Sequence, residues 1–278
     1  MSELRDRPPH AFDVPELWER IETAGSKLLI LDYDGTLAPF VVDRMEAFPL
    51  DGIRTTLQVI RDEGSTHLAI VTGRPVREIL ALLGDLGVPI AGSQGSEFRY
   101  PDGRWFTLLP TAKQCARLVR AEREALEFSP RDRVERKPTS VALHTRGVAE
   151  PEARRRVEAV CGLWERDSAE IGFECRRFLG GIEIRLRDVT KGTAVRSIVA
   201  GHSRIDAVVY VGDDETDEDA FRELKGTGFS IRVGDMTTIT CADALLRDVA
   251  DVRGFLAQWY ELARGSTAPE QERTNDVT

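Results

Sequence analysis

Leu28-Leu29-Ile30-Leu31-Asp32-Tyr33-Asp34-Gly35-Thr36 is a run of four apolar residues that stops at two carboxylates, a glycine and a hydroxyl. A short apolar run ending in a Gly turn reads as a strand buried on both faces, with functional groups at its carboxyl end. Downstream, Ile53, Leu57 and Ile60 recur at helical spacing, and Gly64 is placed to stop that helix. His67 to Val71 reads as a second strand, running into Thr72-Gly73-Arg74. Val76, Ile79, Leu80 and Leu83 then form a helical stripe opened by Pro75 and closed by Gly84. Val88 to Ala91 reads as a third strand. The order β-α-β-α-β predicts an α/β protein built on a doubly wound parallel sheet.

The rhythm changes after Glu97. Tyr100-Pro101-Asp102-Gly103 predicts a hairpin turn, followed by a helix with Cys115, Leu118, Val119 and Leu126 on one face. Val134 to Thr145 is β-rich. A helix follows with Ala153, Val157, Val160, Cys161 and Trp164 at helical spacing, and Phe173 to Arg187 returns to strand character. This α-β-α-β segment, 108–187, reads as an inserted domain with its own small sheet, dividing a core formed by 1–107 and 188–278. The core pattern resumes with a helix opened by Lys191-Gly192, carrying Val195, Ile198 and Val199 and ended by Gly201. Two strands, Ala207 to Val211 and Phe229 to Val233, and a last helix from Gly254 to Ala263 complete it. The polar stretch 265–278 is expected to be a disordered tail.

Composition removes several classes of function. Among 278 residues the formal net charge is -9, which argues against a broad nucleic-acid or anionic-membrane surface. No apolar run approaches membrane-spanning length. Cys115, Cys161, Cys175 and Cys241 lie far apart without a C-x-x-C pair, and read as free, mostly buried thiols. The N-terminus, MSELRDRPPHAFDVPEL, lacks the apolar centre of a secretory signal, so a cytoplasmic location is expected.

Four strand ends or helix starts carry chemistry: Asp32 with Asp34, Thr72, Lys191, and Asp213 with Asp214 and Asp217. In an open α/β sheet the crevice outside the carboxyl ends of the strands is where ligands bind. Carboxylates gathered there repel one another unless a cation joins them. Oxygen ligands without His or Cys point to a hard ion, and Mg²⁺ is the natural one. One carboxylate of Asp-x-Asp-Gly-Thr can attack phosphorus to give an acyl phosphate. A second, two residues on, can protonate the leaving oxygen and later deprotonate water. Thr36 can donate to the first Asp, while Thr72 and Lys191 can bind phosphoryl oxygens. Any one of these motifs reads equally well as a turn or a solvated helix start. The ordered set does not.

In that order they resemble the four motifs of the haloacid dehalogenase superfamily. Gly212-Asp213-Asp214-Glu215-Thr216-Asp217-Glu218-Asp219-Ala220-Phe221 further resembles the fourth motif of the trehalose-6-phosphate phosphatases. The likeness continues at Thr72-Gly73-Arg74, Gly95-Ser96-Glu97, Glu135-Arg136-Lys137, His144-Thr145-Arg146, Ile182-Glu183-Ile184-Arg185 and Lys191-Gly192, spanning Leu28 to Phe221. It implies a Rossmann-like core with an α/β cap, Mg²⁺, and hydrolysis of trehalose 6-phosphate. It makes Asp32 the nucleophile and Asp34 the acid/base. Asp32, the Asp34 carbonyl and Asp213 would hold the metal, with Asp214 and Asp217 alongside. Sugar contacts map onto Glu135, Lys137 and Glu183, and the matched stretches add Arg74, Gln94, Glu97, His144 and Arg146 as substrate-binding candidates. The family usually has His where this chain has Gln94, which cannot become cationic.

The expectation is therefore a monomeric trehalose-6-phosphate phosphatase, coupled functionally to a trehalose-6-phosphate synthase. The alternatives are a phosphatase of another sugar phosphate (glucosylglycerol, sucrose or hexose phosphate) and a catalytically silent sugar-phosphate sensor.

Overall fold

The computed structural model describes residues 7–265 apart from 167 and 179, so the tail expected at 265–278 lies, beyond its first residue, outside the described residues. The first half of the core contains α1 (Pro15–Thr23), β1 (Lys27–Leu31), α2 (Ile53–Glu63), β2 (Thr66–Val71), α3 (Val76–Leu82), β3 (Ile90–Gly92), β4 (Glu97–Arg99) and β5 (Trp105–Thr107). The second half contains α6 (Lys191–Ala200), β10 (Ala207–Gly212), α7 (Glu218–Leu224), β11 (Phe229–Val233), β12 (Ala244–Leu246) and α8 (Val249–Gly265). Between them lie α4 (Ala112–Leu126), β6 (Val134–Arg136), β7 (Ser140–His144), α5 (Glu150–Trp164), β8 (Phe173–Phe178) and β9 (Gly181–Leu186).

The core sheet runs β12-β11-β10-β1-β2-β3-β4-β5. Its strands are parallel from β12 to β3, and the β4–β5 hairpin adds two antiparallel strands at one edge. The strongest sequence signal, β1, sits in the middle, buried along its whole length. Leu29 and Leu31 face a layer made by α1, α2, α3 and α8, while Leu28 and Ile30 face α6 and α7. Each fully buried leucine contributes about 1.5–3 kcal/mol, and Leu29→Ala would cost about 2–5 kcal/mol because the flanking layers cannot collapse fully onto the gap.

The second sheet, β6-β7-β9-β8, is antiparallel. Its residues alternate strictly. Val141, Leu143, Ile182 and Ile184 pack on α4 and α5 around the fully buried Trp164. The opposite face carries Glu135, His144 and Glu183, whose polar groups cannot be buried in that apolar layer. Together the two sheets form a Rossmann-like core with a cap. Among the described residues no helix is long and apolar enough to cross a membrane.

Several expectations are corrected. α4 buries Leu118, Ala121, Ala125 and the stem of Arg117, whereas Val119 and Leu126 are exposed, as is Cys115. Arg117 belongs inside because its guanidinium donates to the carbonyls of Leu163 and Trp164. All four cysteines are free, but none is fully buried. The third strand begins at Ile90 and the last helix at Val249. The helix α1 and strand β12 were not foreseen.

Candidate active site

β1 and β10 are neighbours in register, so their carboxyl ends deliver Asp32 and Asp213 to the same place. Beyond β1 the chain turns at Gly35, whose φ of +71° favours glycine, and a Cβ there would lie 2.1 Å from Asp213 Oδ2. This close approach lets the two strand ends share one cluster. A second tight fit occurs at Gly212, where a Cβ would meet the Asp217 carboxyl carbon at 2.3 Å. Lys191 enters from the first turn of α6, whose start is set by reciprocal hydrogen bonds between Thr190 and Thr193, both 3.1 Å. Its Nζ lies 2.9 Å from Asp32 Oδ1 and 2.8 Å from Asp217 Oδ1.

All three carboxyls of Asp32, Asp213 and Asp217 offer an oxygen within 4.8 Å of one another. Burial pushes the Asp32 carboxyl up to about 7 despite the Lys191 ammonium beside it, and pushes Asp213 well above the usual range, with Asp32 and Asp217 adding repulsion. Burial opposes the charge on Lys191, but Asp217 and Asp32 outweigh it, so the ammonium persists. Asp213 Oδ1 is buried and finds no hydrogen-bond partner among the described residues. An orphaned carboxylate oxygen beside two further buried carboxyls fits a divalent cation well, since an ion would supply the missing partner and offset the repulsion.

The other acids divide by position. Asp34 lines the cleft, but its carboxylate is gripped by Arg74 through bonds of 2.6 and 2.7 Å. Both carboxylate oxygens of Asp34 are thus engaged by Arg74. Asp214 also lines the cleft; its side chain accepts from Glu215 N, and burial raises its carboxyl. Asp217 lies beneath the cleft floor, accepting from the backbone amides of Asp213 and Asp214 and from the Tyr210 hydroxyl. It organises the turn that presents Asp213. Thr36, expected to donate to Asp32, has a buried hydroxyl with no hydrogen-bond partner among the described residues.

Facing this cluster across a cleft of about 800 Å³, counted with its open mouth, is the polar side of the cap sheet. Lys137 Nζ lies 3.1 Å from Glu183 Oε1, which also accepts from Ser140 Oγ at 2.7 Å. Glu135 Oε2 lies 2.9 Å from His144 Nε2 and 3.8 Å from Lys137 Nζ. Burial works against charge at Glu135, but Lys137, His144 and Arg44 hold it ionised, well below the usual carboxylate range. Burial likewise opposes Glu183, where Lys137 and Ser140 win and lower it. Two ionised carboxylates and an ammonium, fixed on one face of a sheet, can bind several hydroxyl groups at once.

An acidic cluster that fits a divalent cation, facing a sheet of fixed polar groups across one cleft, suits a phosphorylated sugar. A family model described as trehalose-phosphatase matches residues 30–242. The chain belongs to the trehalose-phosphatase family. It is 27% identical over 269 residues to a trehalose-phosphatase of Schizosaccharomyces pombe, covering 90% of this chain and 32% of that protein. It is 29% identical over 250 residues to a bifunctional trehalose-6-phosphate synthase/phosphatase of Thermoproteus tenax, covering 89% of this chain and 34% of that one. The chain thus spans about a third of the length of these curated relatives. The fold matches the C-terminal domain of a C. albicans trehalose-6-phosphate phosphatase, with a TM-score of 0.79, 22% identity, and coverage of 92% and 98% of the two chains.

Within this cleft, Thr72, Arg74, Gln94, His144 and Arg146 all reach the lining, together with Lys191, Glu135, Lys137 and Glu183. Glu97 does not. Its Oε2 accepts from Ser93 Oγ at 2.9 Å and Val76 N at 3.2 Å, which makes it a brace behind the Gln94 loop. That loop is strained: Ser93 and Gln94 have φ of 49° and 62°, and the buried Gln94 Oε1 has no hydrogen-bond partner among the described residues.

The cleft also contains residues not anticipated from sequence: Phe40, Arg44, Arg176, Phe178 and Thr216. Arg176 and Phe178 share the phase of β8 that faces Glu183 and Gly181, so strand alternation was a signal for them. Thr216 sits inside the fourth motif. Phe40 and Arg44 lie in an aperiodic segment after Thr36, and no periodic signal marked them.

Proposed function

We propose that the protein hydrolyses trehalose 6-phosphate to trehalose and inorganic phosphate through a phosphoaspartate on Asp32, with Mg²⁺. The observation that carries this reading is the pairing, across one cleft, of the Asp32–Lys191–Asp213 cluster with the Glu135–Lys137–Glu183 face of the cap.

The protein's groups suit the two half-reactions. An Asp32 carboxylate oxygen forms a bond to phosphorus while the bond from phosphorus to the sugar's O6 breaks, and Asp34 gives its proton to that oxygen. Water then attacks the phosphorus of the acyl phosphate, Asp34 takes its proton, and the P–O bond to Asp32 breaks. Lys191 and Thr72 line the place where the phosphoryl oxygens must lie and offset their charge. Asp32, Asp213 and the Asp34 carbonyl would hold Mg²⁺, with Asp214 and Asp217 supporting, and the ion would supply charge neutralisation for phosphoryl transfer. Glu135, Lys137 and Glu183 bind sugar hydroxyls, and His144, Arg146, Arg74 and Gln94 complete the wall.

The division into a core of 1–107 and 188–278 with a cap of 108–187 belongs to the same reading, because the two halves of the cleft come from these two parts. Since one chain supplies every site residue, a monomer suffices. A bifunctional relative suggests coupling to a synthase, and four free cysteines accord with a cytoplasmic setting.

The test is phosphate release with Mg²⁺ from trehalose 6-phosphate beside sucrose, glucose and mannose 6-phosphates and glucosylglycerol phosphate. A clear preference for trehalose 6-phosphate, abolished by EDTA and by Asp32→Asn, is expected. Preference for another member would move the substrate, and inactivity on all of them would sink the enzymatic reading.

A further inference from the structure

A line of alternating charges crosses from the acid/base to the cap. On the core side, Arg74 holds Asp34 with two bonds and reaches Glu78 Oε2 at 3.4 Å through Nη1, which also donates to the Arg44 carbonyl at 2.7 Å. Glu78, in the first turn of α3, then meets Arg44 Nη2, which lies 2.6 Å from both of its carboxylate oxygens. The same Arg44 nitrogen lies 2.7 Å from Glu135 Oε1 on the cap. From Glu135 the line continues to His144 and Lys137, and through Lys137 to Glu183.

Arg44 is the crossing point, and its place is built. It opens a single 3-10 turn at Arg44–Glu46, fixed by Asp43 Oδ1 accepting from Met45 N at 2.9 Å. Its side chain is about 30% exposed, whereas both partner carboxylates are more deeply buried. Other links between core and cap avoid the acid/base. Arg185 reaches Asp219 at 3.0 Å, and Arg146 donates to the Val41 carbonyl at 3.1 Å.

We propose that Arg44 is a positioning residue that ties seating of the cap to the Arg74–Asp34 pair, through Glu78 on one side and Glu135 on the other. It makes no bond to the reacting atoms. It fixes a sugar-binding carboxylate over the cleft and holds the carboxylate that shares Arg74 with Asp34. The consequence is selectivity for substrates whose leaving group fills the cap, a glycosyl sugar phosphate, over small phosphate esters that leave the cap unengaged. This rests on the reading of the cleft given above.

The experiment compares wild type, Arg44→Lys, Arg44→Ala and Glu78→Gln on trehalose 6-phosphate and on p-nitrophenyl phosphate, with amide hydrogen exchange on each protein. Arg44→Ala is expected to lower kcat/KM for trehalose 6-phosphate on the order of a hundredfold, the loss typical of reacting groups misplaced from a distance. It should lower that for p-nitrophenyl phosphate far less, by about tenfold at most, since that ester needs no cap contact and its leaving group needs little proton from Asp34, although Arg44 lines the cleft. Arg44→Lys should recover part of the loss, because it keeps the charge but carries it on a shorter side chain that cannot hold both contacts of Nη2 at these distances. In Arg44→Ala, protection should fall together in residues 39–50 and 132–146 while β1 and β10 stay protected. Equal losses on both esters, or unchanged exchange at the cap, would overturn the proposal. A wild type with no preference for trehalose 6-phosphate would instead sink the substrate reading, leaving the exchange experiment to decide the role of Arg44.

Discussion

Arg74 grips the Asp34 carboxylate in parallel, with Nε 2.6 Å from one oxygen and Nη2 2.7 Å from the other. In the proposed reaction the same acidic group donates a proton to a sugar oxygen and later takes one from water. Asp34→Asn therefore separates the two half-reactions. On trehalose 6-phosphate kcat should fall by about 10²–10⁴-fold, the usual contribution of a positioned acid/base. On p-nitrophenyl phosphate, whose leaving group needs little protonation, Asp34→Asn should release one equivalent of nitrophenol per enzyme and then stall. Stopped-flow absorbance reads the burst. Steady turnover without a burst would remove Asp34 from the water-activating step.

Why Asp34 was legible and Arg44 was not is a matter of what leaves a pattern in sequence. Asp32, Asp34, Thr72, Lys191 and Asp213 follow buried strands or open helices, so a change of hydrophobic rhythm marks each one. The β1 core was legible for the same reason, since a strand covered on both faces must be apolar throughout. Arg44 owes its place to a single 3-10 turn and to two carboxylates distant in sequence, Glu78 and Glu135. Nothing local announces that. The inward face of α4 departs from the one its large apolar residues predict. Ala121 and Ala125 are small enough for close packing, and Arg117 has carbonyl partners inside. The helix α1 carries the buried residues Leu17, Trp18 and Ile21 at helical spacing, a pattern that is itself legible in the sequence.

Removal of the ion should destabilise the protein in a pH-dependent way. Burial raises the Asp32 carboxyl to about 7, above its value in the unfolded chain. Without an ion, this group supports folding while protonated, at pH below the ordinary carboxylate range, and that support is lost as pH rises through about 7. Cation binding needs the ionised form and reverses the loss. The rise in Tm on adding Mg²⁺ over EDTA should therefore be larger at pH 8 than at pH 5.5. Differential scanning fluorimetry reads it; an equal or smaller rise at pH 8 would contradict the buried-cluster account.

Lys137 is the keystone of the cap face. It is buried between Glu183 and Glu135, and Lys137→Met keeps the apolar stem while deleting the charge. Glu183 would keep the Ser140 hydroxyl and the charge of Arg185 but lose its ammonium partner, so the cap should lose up to about 3–5 kcal/mol, the cost of breaking a buried ion pair. The freed carboxyl should also titrate at higher pH than before. Lys137→Met together with Glu183→Gln should recover much of the stability and none of the sugar affinity. Denaturant unfolding and the KM for trehalose 6-phosphate distinguish these outcomes. A double variant as unstable as Lys137→Met alone would show that Lys137 does not serve Glu183.

Gln94 closes the wall beside Thr72 and Gly73, in a left-handed backbone conformation that His also tolerates better than most residues. The family resemblance implies His at this position, so Gln94→His should fold. An imidazole here would add a charge that exists only at low pH, whereas the Gln amide is neutral throughout. If the side chain faces the phosphate, Gln94→His should add a new limb to the pH profile of kcat/KM. Activity at pH 6 should be retained or raised, with a decline as the ring loses its proton near about 6.5. The wild type should show no such limb over that range. Overlapping profiles for Gln94→His and wild type would place the side chain away from the phosphate, and a change in the ranking of sugar phosphates without a new limb would make it a sugar contact instead.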